Sequence, residues 1–446
     1  MKVQWWWWIV MWGILAGCGG MPAGALTPAS PPATPTAFPR SPTLTVAPPP
    51  AFTATLTLTP SPAPTAQPDK WAWWTRGTRL RGANIYQRRV FLDLDGTTFL
   101  GPGPLGPPYT QADFDALAAQ GANWVNLSVP GLFTVQPPYV PDPAVVAAVD
   151  RLLAMAARAH LWVVLSARTG PGRSEFSILR EGVGDWFPRK YLIESVWRDA
   201  KARRAWAAMW RYTAARYRHN PIIVGYDLMV EPNANDVVGE WDSQAFMARY
   251  GGTGYDWNAW YLDLVTAIRE VDPETPILIG CMGYSNIDWL ATMQPVPARR
   301  VVYTVHQYAP FAYTHQEPGD IRPYPGRFDL DGDGQPETFD RRWVAAYLQT
   351  LADFREKAGA PVAVNEMGVK RWAPGAAIFM RDQMEALETL GVNYAVWMWY
   401  PSWSPLTEGD HDFNFRLGSD PAWRKDGPNS LWSVYQRIWQ RNDTRP

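Results

Sequence analysis

Net charge, cysteine and glycine-rich turns are all scarce in this chain of 446 residues. Lysine and arginine total 41 against 42 aspartates and glutamates, so the charge balance gives no reason to expect nucleic acid or an acidic polymer as a partner. No glycine-rich turn of the kind that binds phosphate follows an apolar run, which argues against an open, doubly wound nucleotide-binding sheet.

The two cysteines are Cys18 and Cys281. Cys18 lies in a targeting segment, so Cys281 is left alone in the folded part and an internal disulfide is excluded there. Cys281 ends the apolar run Pro276–Gly280, where we expect a small buried side chain. The folded part must therefore be stabilised by its hydrophobic core.

The first 17 residues have the pattern of a signal peptide. Lys2 supplies a basic start, and the apolar run Trp5–Leu15 is too short to span a membrane comfortably as a mature helix. The run leads into Leu15-Ala-Gly-Cys18, which resembles the bacterial lipobox, so Cys18 is the predicted lipidation site. We expect a lipoprotein on the extracellular face of a bacterial membrane, which it contacts through the lipid anchor only. An ordinary secretory signal is the alternative.

Residues 18–69 have few charges and few large apolar side chains. From Thr27 to Pro68 the segment is mostly proline and threonine, and Arg40 is its one charged residue. Such a composition favours extended polyproline II and gives no core, which predicts a semi-rigid, disordered linker. We therefore divide the chain into a signal at 1–17, a linker at 18–69 and one folded domain at 70–446.

Within 70–446, short β-like runs alternate with helical patterns. Strands are predicted at 78–86, 123–129, 161–167, 222–231, 276–281, 301–306, 361–366 and 392–399. Helices are predicted at 111–120, 143–160, 199–218, 257–271, 286–293, 341–357, 376–390 and 431–440. Eight strand–helix pairs predict an α/β fold of the (β/α)8 or TIM barrel type; an open, doubly wound sheet is the alternative.

The carboxyl ends of barrel strands share one rim, where barrel enzymes carry their catalytic residues. Glu231, directly before a proline, ends the fourth predicted strand, and Glu366 ends the seventh. An isolated Glu-Pro is usually an exposed loop, and it is the second glutamate that makes a paired site the better interpretation. The other side chains expected on the rim are Asn84, Asn126, His306, Tyr308, Trp397 and Trp399.

Two carboxylates facing each other among aromatic side chains suit the hydrolysis of a glycosidic bond. The chain also holds 26 tryptophans and 19 tyrosines, more than a core needs, and indole faces pack well on sugar rings. Burial in the core is the alternative use for about half of these tryptophans.

The segment from about Leu80 to Trp403 resembles the clan A retaining glycoside hydrolases, and most closely the cellulase-like glycoside hydrolase family 5. The likeness is carried by His306-Gln-Tyr308-Ala-Pro-Phe311, by the following Tyr313-Thr-His-Gln316, and by the spacing of the two glutamates.

The resemblance implies that Glu231 is the acid/base, Glu366 the nucleophile and Tyr308 the donor that holds the nucleophile. It also implies that His306 supports the site and that Trp397 lies below the sugar ring. We expect a monomer that hydrolyses β-linked glucan or mannan with retention, needs no cofactor for catalysis, and binds carbohydrate but no nucleic acid. A catalytically weak carbohydrate-binding lipoprotein on the same scaffold is the alternative.

Three positions depart from the family pattern. Val230 stands where the family has the asparagine that contacts the sugar's 2-hydroxyl, and Asn126 stands where it has an arginine. Ser166-Ala-Arg168 replaces a histidine of the third strand. The 2-hydroxyl contact is therefore expected from Asn126, Asn233 or another residue, and an axial 2-hydroxyl, as in mannan, becomes more plausible.

The loop after the sixth strand contains a pattern of calcium ligands. Oxygen-bearing residues occupy positions 1, 3, 5, 7, 9 and 12 of the segment Asp329–Asp340, with glycine at position 6. The predicted ligands are Asp329, Asp331, Asp333, Gln335 and Asp340. A structural calcium ion that fixes this loop beside the cleft is one interpretation, and a solvated acidic turn is the other.

Overall fold

Eight parallel strands close into a barrel. We label them in chain order as β1 (Arg81–Tyr86), β2 (Trp124–Pro130), β3 (Trp162–Thr169), β4 (Ile223–Asp227), β5 (Ile277–Gly280), β6 (Val301–Gln307), β7 (Val362–Met367) and β8 (Asn393–Val396). Each strand pairs in parallel with the next, and β8 pairs with β1. The predicted (β/α)8 barrel is confirmed.

The computed structural model describes residues 69–99, 101, 103–403, 412–423 and 425–446. The predicted signal at 1–17 and the predicted lipidation site Cys18 lie outside this part. So does the predicted linker at 18–69, apart from its last residue. All three stay predictions. Within it, no helix is both long enough and apolar enough to cross a bilayer.

Helices surround the barrel and fill its connections. The α-helices are Ala72–Thr75, Leu92–Phe99, Gln111–Ala119, Pro143–Arg158, Ala200–Tyr217, Ala234–Val238, Ser243–Tyr250, Tyr261–Arg269, Met282–Ser285, Phe311–Thr314, Arg341–Ala358, Ala376–Leu390 and Ser430–Trp439. Single 3-10 turns occur at Glu175–Ser177, Arg180–Gly182, Arg189–Tyr191, Ser195–Trp197, Trp257–Ala259, Ile287–Thr292 and Phe415–Leu417. Two two-stranded sheets lie outside the barrel, one of Arg88–Arg89 with Leu105–Gly106 and one of Gly326–Phe328 with Glu337–Phe339.

Tryptophan fills the amino-terminal end of the barrel interior. Trp74, Trp124 and Trp162 pack there with aliphatic side chains from most of the other strands. The indole N–H of Trp74 donates to the Val224 carbonyl at 2.9 Å, and that of Trp124 donates to the Tyr394 carbonyl at 2.9 Å. This packing closes one end of the barrel, so the opposite rim is the end left for a site.

Two strands end earlier than the sequence predicts. β4 stops at Asp227 and β8 stops at Val396, although the backbone stays bonded to its neighbours: the N–H of Val230 donates to the Ala167 carbonyl at 3.0 Å. An alternating apolar run predicts extended chain but not where the ladder becomes irregular. Glu231 therefore lies beyond its strand, whereas Glu366 lies within β7.

The element expected at 286–293 is a 3-10 helix. Six α-helices of the described residues were not predicted: Ala72–Thr75, Leu92–Phe99, Ala234–Val238, Ser243–Tyr250, Met282–Ser285 and Phe311–Thr314. None is longer than eight residues, which is too short for a hydrophobic period to be clear.

Candidate active site

Two carboxylates and one imidazole meet at the carboxyl-terminal rim of the barrel. Nδ1 of His306 lies 2.9 Å from Oε1 of Glu231 and 3.6 Å from Oε2 of Glu366. A ligand atom from each of the three side chains lies within 4.8 Å of the others. His306 and Glu366 are 5% and 4% exposed, so the pair is almost closed off from water.

The parallel register of β6 and β7 brings these groups together. Glu366 pairs with His306 across the two strands, next to an irregularity after Val364. Tyr308 follows β6, and its hydroxyl donates to Oε1 of Glu366 at 2.7 Å. Oε2 of Glu366 is buried and accepts no hydrogen bond from the described residues, although it lies within ion-pair distance of His306.

Glu231 reaches the same point through an unusual backbone conformation. Its φ is 54°, in the left-handed region that residues other than glycine seldom occupy. The following residue is proline, which ordinarily restricts its predecessor to extended conformations. The chain therefore turns sharply at Glu231 and presents its carboxylate to His306.

The two carboxylates affect each other's protonation. Burial raises the pKa of Glu366 to about 7, and the charge of Glu231 adds to this against the opposing charges of His306 and Arg168. Burial also acts to raise the pKa of Glu231, but the hydrogen bond from His306 and the charges of His306, Arg168 and Arg173 hold it below its usual value. Such a pair holds one proton between its two titration steps.

A buried arginine lies against two aromatic rings at the edge of this site. The Arg168 guanidinium carbon is 4.7 Å from the ring centre of Tyr86 and 5.6 Å from that of Trp397. Glu175 accepts from Nε of Arg168 at 2.9 Å and from the Tyr86 hydroxyl at 2.8 Å. Trp397 is half-buried, so the cluster holds it with part of its surface exposed.

Asn84 and Asn126 were predicted to bind substrate, and the structure places both inside the barrel. They are 0% and 1% exposed, because β1 and β2 continue past them to Tyr86 and Pro130. Nδ2 of Asn126 donates to Asn84 at 2.7 Å, and Nδ2 of Asn84 donates to the Asn365 carbonyl at 3.0 Å. Both side chains therefore belong to a polar layer inside the barrel.

Two further residues of the predicted site are also buried. Trp399 was predicted on the rim but is 1% exposed, and its indole N–H donates to the Asp113 carbonyl at 2.9 Å; it is a core residue. Asn233, one of the expected contacts to a sugar hydroxyl, is 0% exposed and donates to the Ser177 carbonyl at 2.6 Å. Neither side chain has a surface to offer a ligand.

Roles for Tyr86, Arg168, Arg173 and Glu175 were not predicted from the sequence. Arg168 is the second-last residue of β3, and Arg173 follows the turn Gly170-Pro-Gly172 directly after that strand. Two arginines at the end of a strand that is buried on both sides are a signal that could have been used, because charge at that point must lie close to the rim.

The acidic loop brings four carboxylates together. Asp329, Asp331, Asp333 and Glu337 each offer an oxygen within 4.8 Å of the others. Gln335 lies in the same turn, where its backbone N–H donates to Asp333 at 2.7 Å.

Asp340 lies apart from this group of four carboxylates. It caps the helix Arg341–Ala358, accepting from the N–H groups of Arg342 at 2.8 Å and Trp343 at 3.1 Å. Glu337 thus joins the three aspartates in the position where we had expected Asp340.

A (β/α)8 barrel that holds two buried carboxylates together at its carboxyl-terminal rim, beside a partly exposed tryptophan, has the design of a two-carboxylate glycosidase. The family described as Cellulase (glycosyl hydrolase family 5) matches residues 92–403, well over half of the chain. The chain belongs to this family, and the protein is a glycosidase.

Individual relatives are distant. Endoglucanase C of Acetivibrio thermocellus is 23% identical over 273 residues, which cover 56% of this chain and 71% of that protein. Endoglucanase 3 of Fibrobacter succinogenes is 26% identical over 187 residues, covering 40% of this chain and 26% of that protein. The structure of Thermotoga maritima Cel5A with cellobiose has a TM-score of 0.55 at 17% identity and covers 82% of this chain and 100% of that one. This last likeness shows the fold.

Replacing the two tryptophans separately should distinguish the cleft from the core. We expect Trp397→Ala to lower kcat/KM on a soluble β-glucan about tenfold, since an aromatic contact contributes up to ~1.5 kcal/mol, with little loss of stability. Trp399→Ala should lower the free energy of unfolding by about 3–5 kcal/mol and leave KM unchanged. Steady-state kinetics and urea unfolding measure both; a raised KM for Trp399→Ala at parental stability would contradict its place in the core.

Proposed function

We propose that the enzyme hydrolyses β-1,4-linked glucan or mannan with retention of configuration at the anomeric carbon. The observation that supports retention is the approach of Glu231 and Glu366, whose nearest oxygens lie within 4.8 Å. Retaining glycosidases hold their carboxyl groups about 5–5.5 Å apart, whereas inverting enzymes leave about 6.5–9.5 Å for a water molecule between them.

In the proposed mechanism, Glu366 attacks the anomeric carbon while Glu231 protonates the glycosidic oxygen. The C–O bond to the leaving sugar breaks, and a glycosyl ester forms on Glu366. Glu231, now ionised, then takes a proton from water as the water attacks the same carbon, and the ester bond to Glu366 breaks. Both carboxyl groups return to their starting states.

Both steps depend on where the shared proton lies. The reactive form has an ionised Glu366 and a proton on Glu231, although the electrostatics of the free site place the proton more on Glu366. The hydrogen bond from Tyr308 favours the ionised form of Glu366. It therefore increases the fraction of enzyme that is ready to react.

The substrate class is supported by the relatives and by the cleft. Two of the similar proteins are endoglucanases, and Cel5A of Thermotoga maritima has been solved with cellobiose and with mannotriose. The partly exposed Trp397 offers an apolar surface of the kind that sugar rings stack upon. With the predicted signal and linker, we propose that the enzyme acts on extracellular polysaccharide while anchored by a lipid on Cys18.

Removing each carboxylate tests the assignment of roles. Glu366→Gln should abolish sugar release from β-glucan and mannan, since no nucleophile remains. Glu231→Gln should lose about 10²–10⁴-fold on these polysaccharides but far less on dinitrophenyl cellobioside, whose leaving group needs no proton. Glu356→Gln, an exposed glutamate on an outer helix, is the control.

Reducing-sugar assays and NMR of the first-formed product measure these outcomes. A first product of inverted configuration would overturn retention. A parent protein that binds the polysaccharides without cleaving any of them would favour the alternative of a carbohydrate-binding protein.

Tyr308→Phe tests how the shared proton is distributed between Glu231 and Glu366. The last proton of the pair leaves mainly from Glu366, whose pKa is about 7. Without the hydrogen bond from Tyr308, ionised Glu366 is less stable and its pKa rises, so the alkaline limb of kcat/KM should move to higher pH. A hydrogen bond to a charged group contributes about 1.5–3 kcal/mol, so kcat/KM at the optimum should fall about tenfold or more. An unmoved alkaline limb in a pH–rate profile would contradict this arrangement.

We also propose that the acidic loop binds a structural calcium ion. Four carboxylates that each offer an oxygen within 4.8 Å of the others suit a hard cation. Adding calcium to chelator-treated protein should raise Tm, because a ligand at 100 times its Kd stabilises by ~2.7 kcal/mol. Asp331→Asn should remove the rise, and Asp320→Asn, in an exposed turn outside the group, should keep it. The same calcium response in both variants would exclude the site.

A further inference from the structure

Arg173 is a buried cation that binds the backbone on which Glu231 is presented. It is 0% exposed. One of its terminal nitrogens donates to the Arg168 and Val230 carbonyls at 2.9 and 2.8 Å. The other donates to the Glu231 carbonyl at 2.7 Å and to Oδ1 of Asn233 at 3.3 Å. The guanidinium therefore links the end of β3 to the segment after β4.

The turn before Arg173 aims this side chain at the rim. Gly170 and Arg173 exchange both backbone hydrogen bonds, at 3.0 and 2.9 Å. Gly172 has a φ of 70°, and a Cβ there would lie 2.8 Å from the side chains of Ala202 and Ser195. The glycine allows a tight turn that sends the chain back, so Arg173 returns to the barrel that β3 has just left.

The segment that Arg173 holds has an unfavourable conformation of its own. Glu231 has a φ of 54° and precedes a proline, a combination that must be stabilised by its surroundings. On its other side, the Tyr284 N–H donates to the Pro232 carbonyl at 3.0 Å, and Asn233 is bonded to Ser177 at 2.6 Å. The Arg173 contacts are the ones that reach the Glu231 carbonyl itself.

The charge of Arg173 is buried among neutral acceptors. All four of its acceptors are carbonyl or amide oxygens. Burial lowers its pKa to about 10, so it remains charged at neutral pH. The ionisable groups around it are Glu231, Glu175, Tyr284 and the like-charged Arg168. An unpaired buried cation is costly, and this one is placed beside the acid/base carboxyl.

We propose that Arg173 is a positioning residue of this glycosidase, which acts by fixing the Glu231 backbone so that the carboxyl group is aimed at the leaving-group oxygen. The inference rests on the proposed role of Glu231 as proton donor. Arg173 does not contact the substrate, and it acts on the reaction only by holding Glu231 in position.

The chain offers a control for these backbone contacts in Arg269, a half-buried arginine. Arg269 also donates to four backbone carbonyls: those of Asp272 and Thr275 at 2.9 Å each, and those of Arg299 and Arg300 at 3.2 and 3.3 Å. These carbonyls precede β5 and β6, at the amino-terminal end of the barrel. Arg269→Met thus removes a similar set of bonds far along the strands from the rim.

The experiment compares Arg173→Met, Arg173→Lys and Arg269→Met on two substrates, dinitrophenyl cellobioside and phenyl cellobioside. The phenyl leaving group needs a proton and the dinitrophenyl group does not. We expect Arg173→Met to lose about 10–100-fold more kcat/KM on the phenyl substrate than on the dinitrophenyl one, because kcat/KM reports the first step, in which only the phenyl group needs the proton. Lysine keeps the charge but lacks the planar set of donors, so Arg173→Lys should lose less. Arg269→Met should lower Tm without altering the ratio of the two substrates.

The pH profile separates the charge of Arg173 from its bonds. The first proton of the pair leaves mainly from Glu231, whose pKa is lowered by the charge of Arg173, so Arg173→Met should also move the acidic limb of kcat/KM to higher pH. Arg173→Lys retains the charge and should leave that limb in place. A merely structural role would move neither the limb nor the ratio of the two substrates.

Crystal structures of Arg173→Met and Arg269→Met make the test independent of activity. We expect Glu231 to leave the left-handed region in the first variant and to keep its φ in the second. A Glu231 with unchanged φ in Arg173→Met, or an unchanged ratio of the two substrates in an active enzyme, would overturn the inference. If the parent cleaves neither substrate nor any polysaccharide, the proposed function fails, and the Glu231 conformation alone decides whether Arg173 positions it.

Discussion

The repulsion between two buried carboxylates is the constraint on which the rest of the site depends. Two unit charges 4.8 Å apart repel by roughly 3.5 kcal/mol at an effective dielectric constant of 20. His306 lies between the carboxylates, and the carboxylate charges raise its pKa although burial acts to lower it. Arg168 and Arg173 add two cations that lower the pKa of Glu231. These positive charges therefore allow the two carboxylates to lie close enough to share one proton.

Closure of the barrel maintains that short separation. The two glutamates lie on opposite sides of β6, since Glu366 belongs to β7 and Glu231 follows β4. Beneath them, Asn365 donates to Asp227 at 2.9 Å, and burial raises the pKa of Asp227 to about 6. This interior layer is polar and mostly hydrogen-bonded, whereas the amino-terminal end is filled with tryptophan. The site therefore stands on a packed support that leaves the carboxylates little freedom to separate.

The fold could be predicted because the periodicity of hydrophobic residues and the alternation of strands and helices are local features of a sequence. The sequence also led to His306, Tyr308 and the two glutamates, which follow or end apolar runs. It did not indicate that Asn84, Asn126 and Trp399 are buried, because the pattern does not say how far a strand continues past a polar residue or which aromatic side chain turns outward. It missed Arg173 because the contacts of that side chain are to backbone carbonyls, and any amino-acid sequence supplies those.

Val230, which departs from the family pattern, is also bound through its backbone. The valine side chain cannot form the hydrogen bonds of an asparagine. From the sequence alone, this favoured a catalytically weak site. In the structure the side chain is 1% exposed, and it is the Val230 carbonyl that Arg173 binds at 2.8 Å. The arginine also binds the Glu231 carbonyl and Asn233, so polar contacts of this turn come from the segment after β3. The loss of a polar residue beside Glu231 is thus compatible with a rigidly held Glu231.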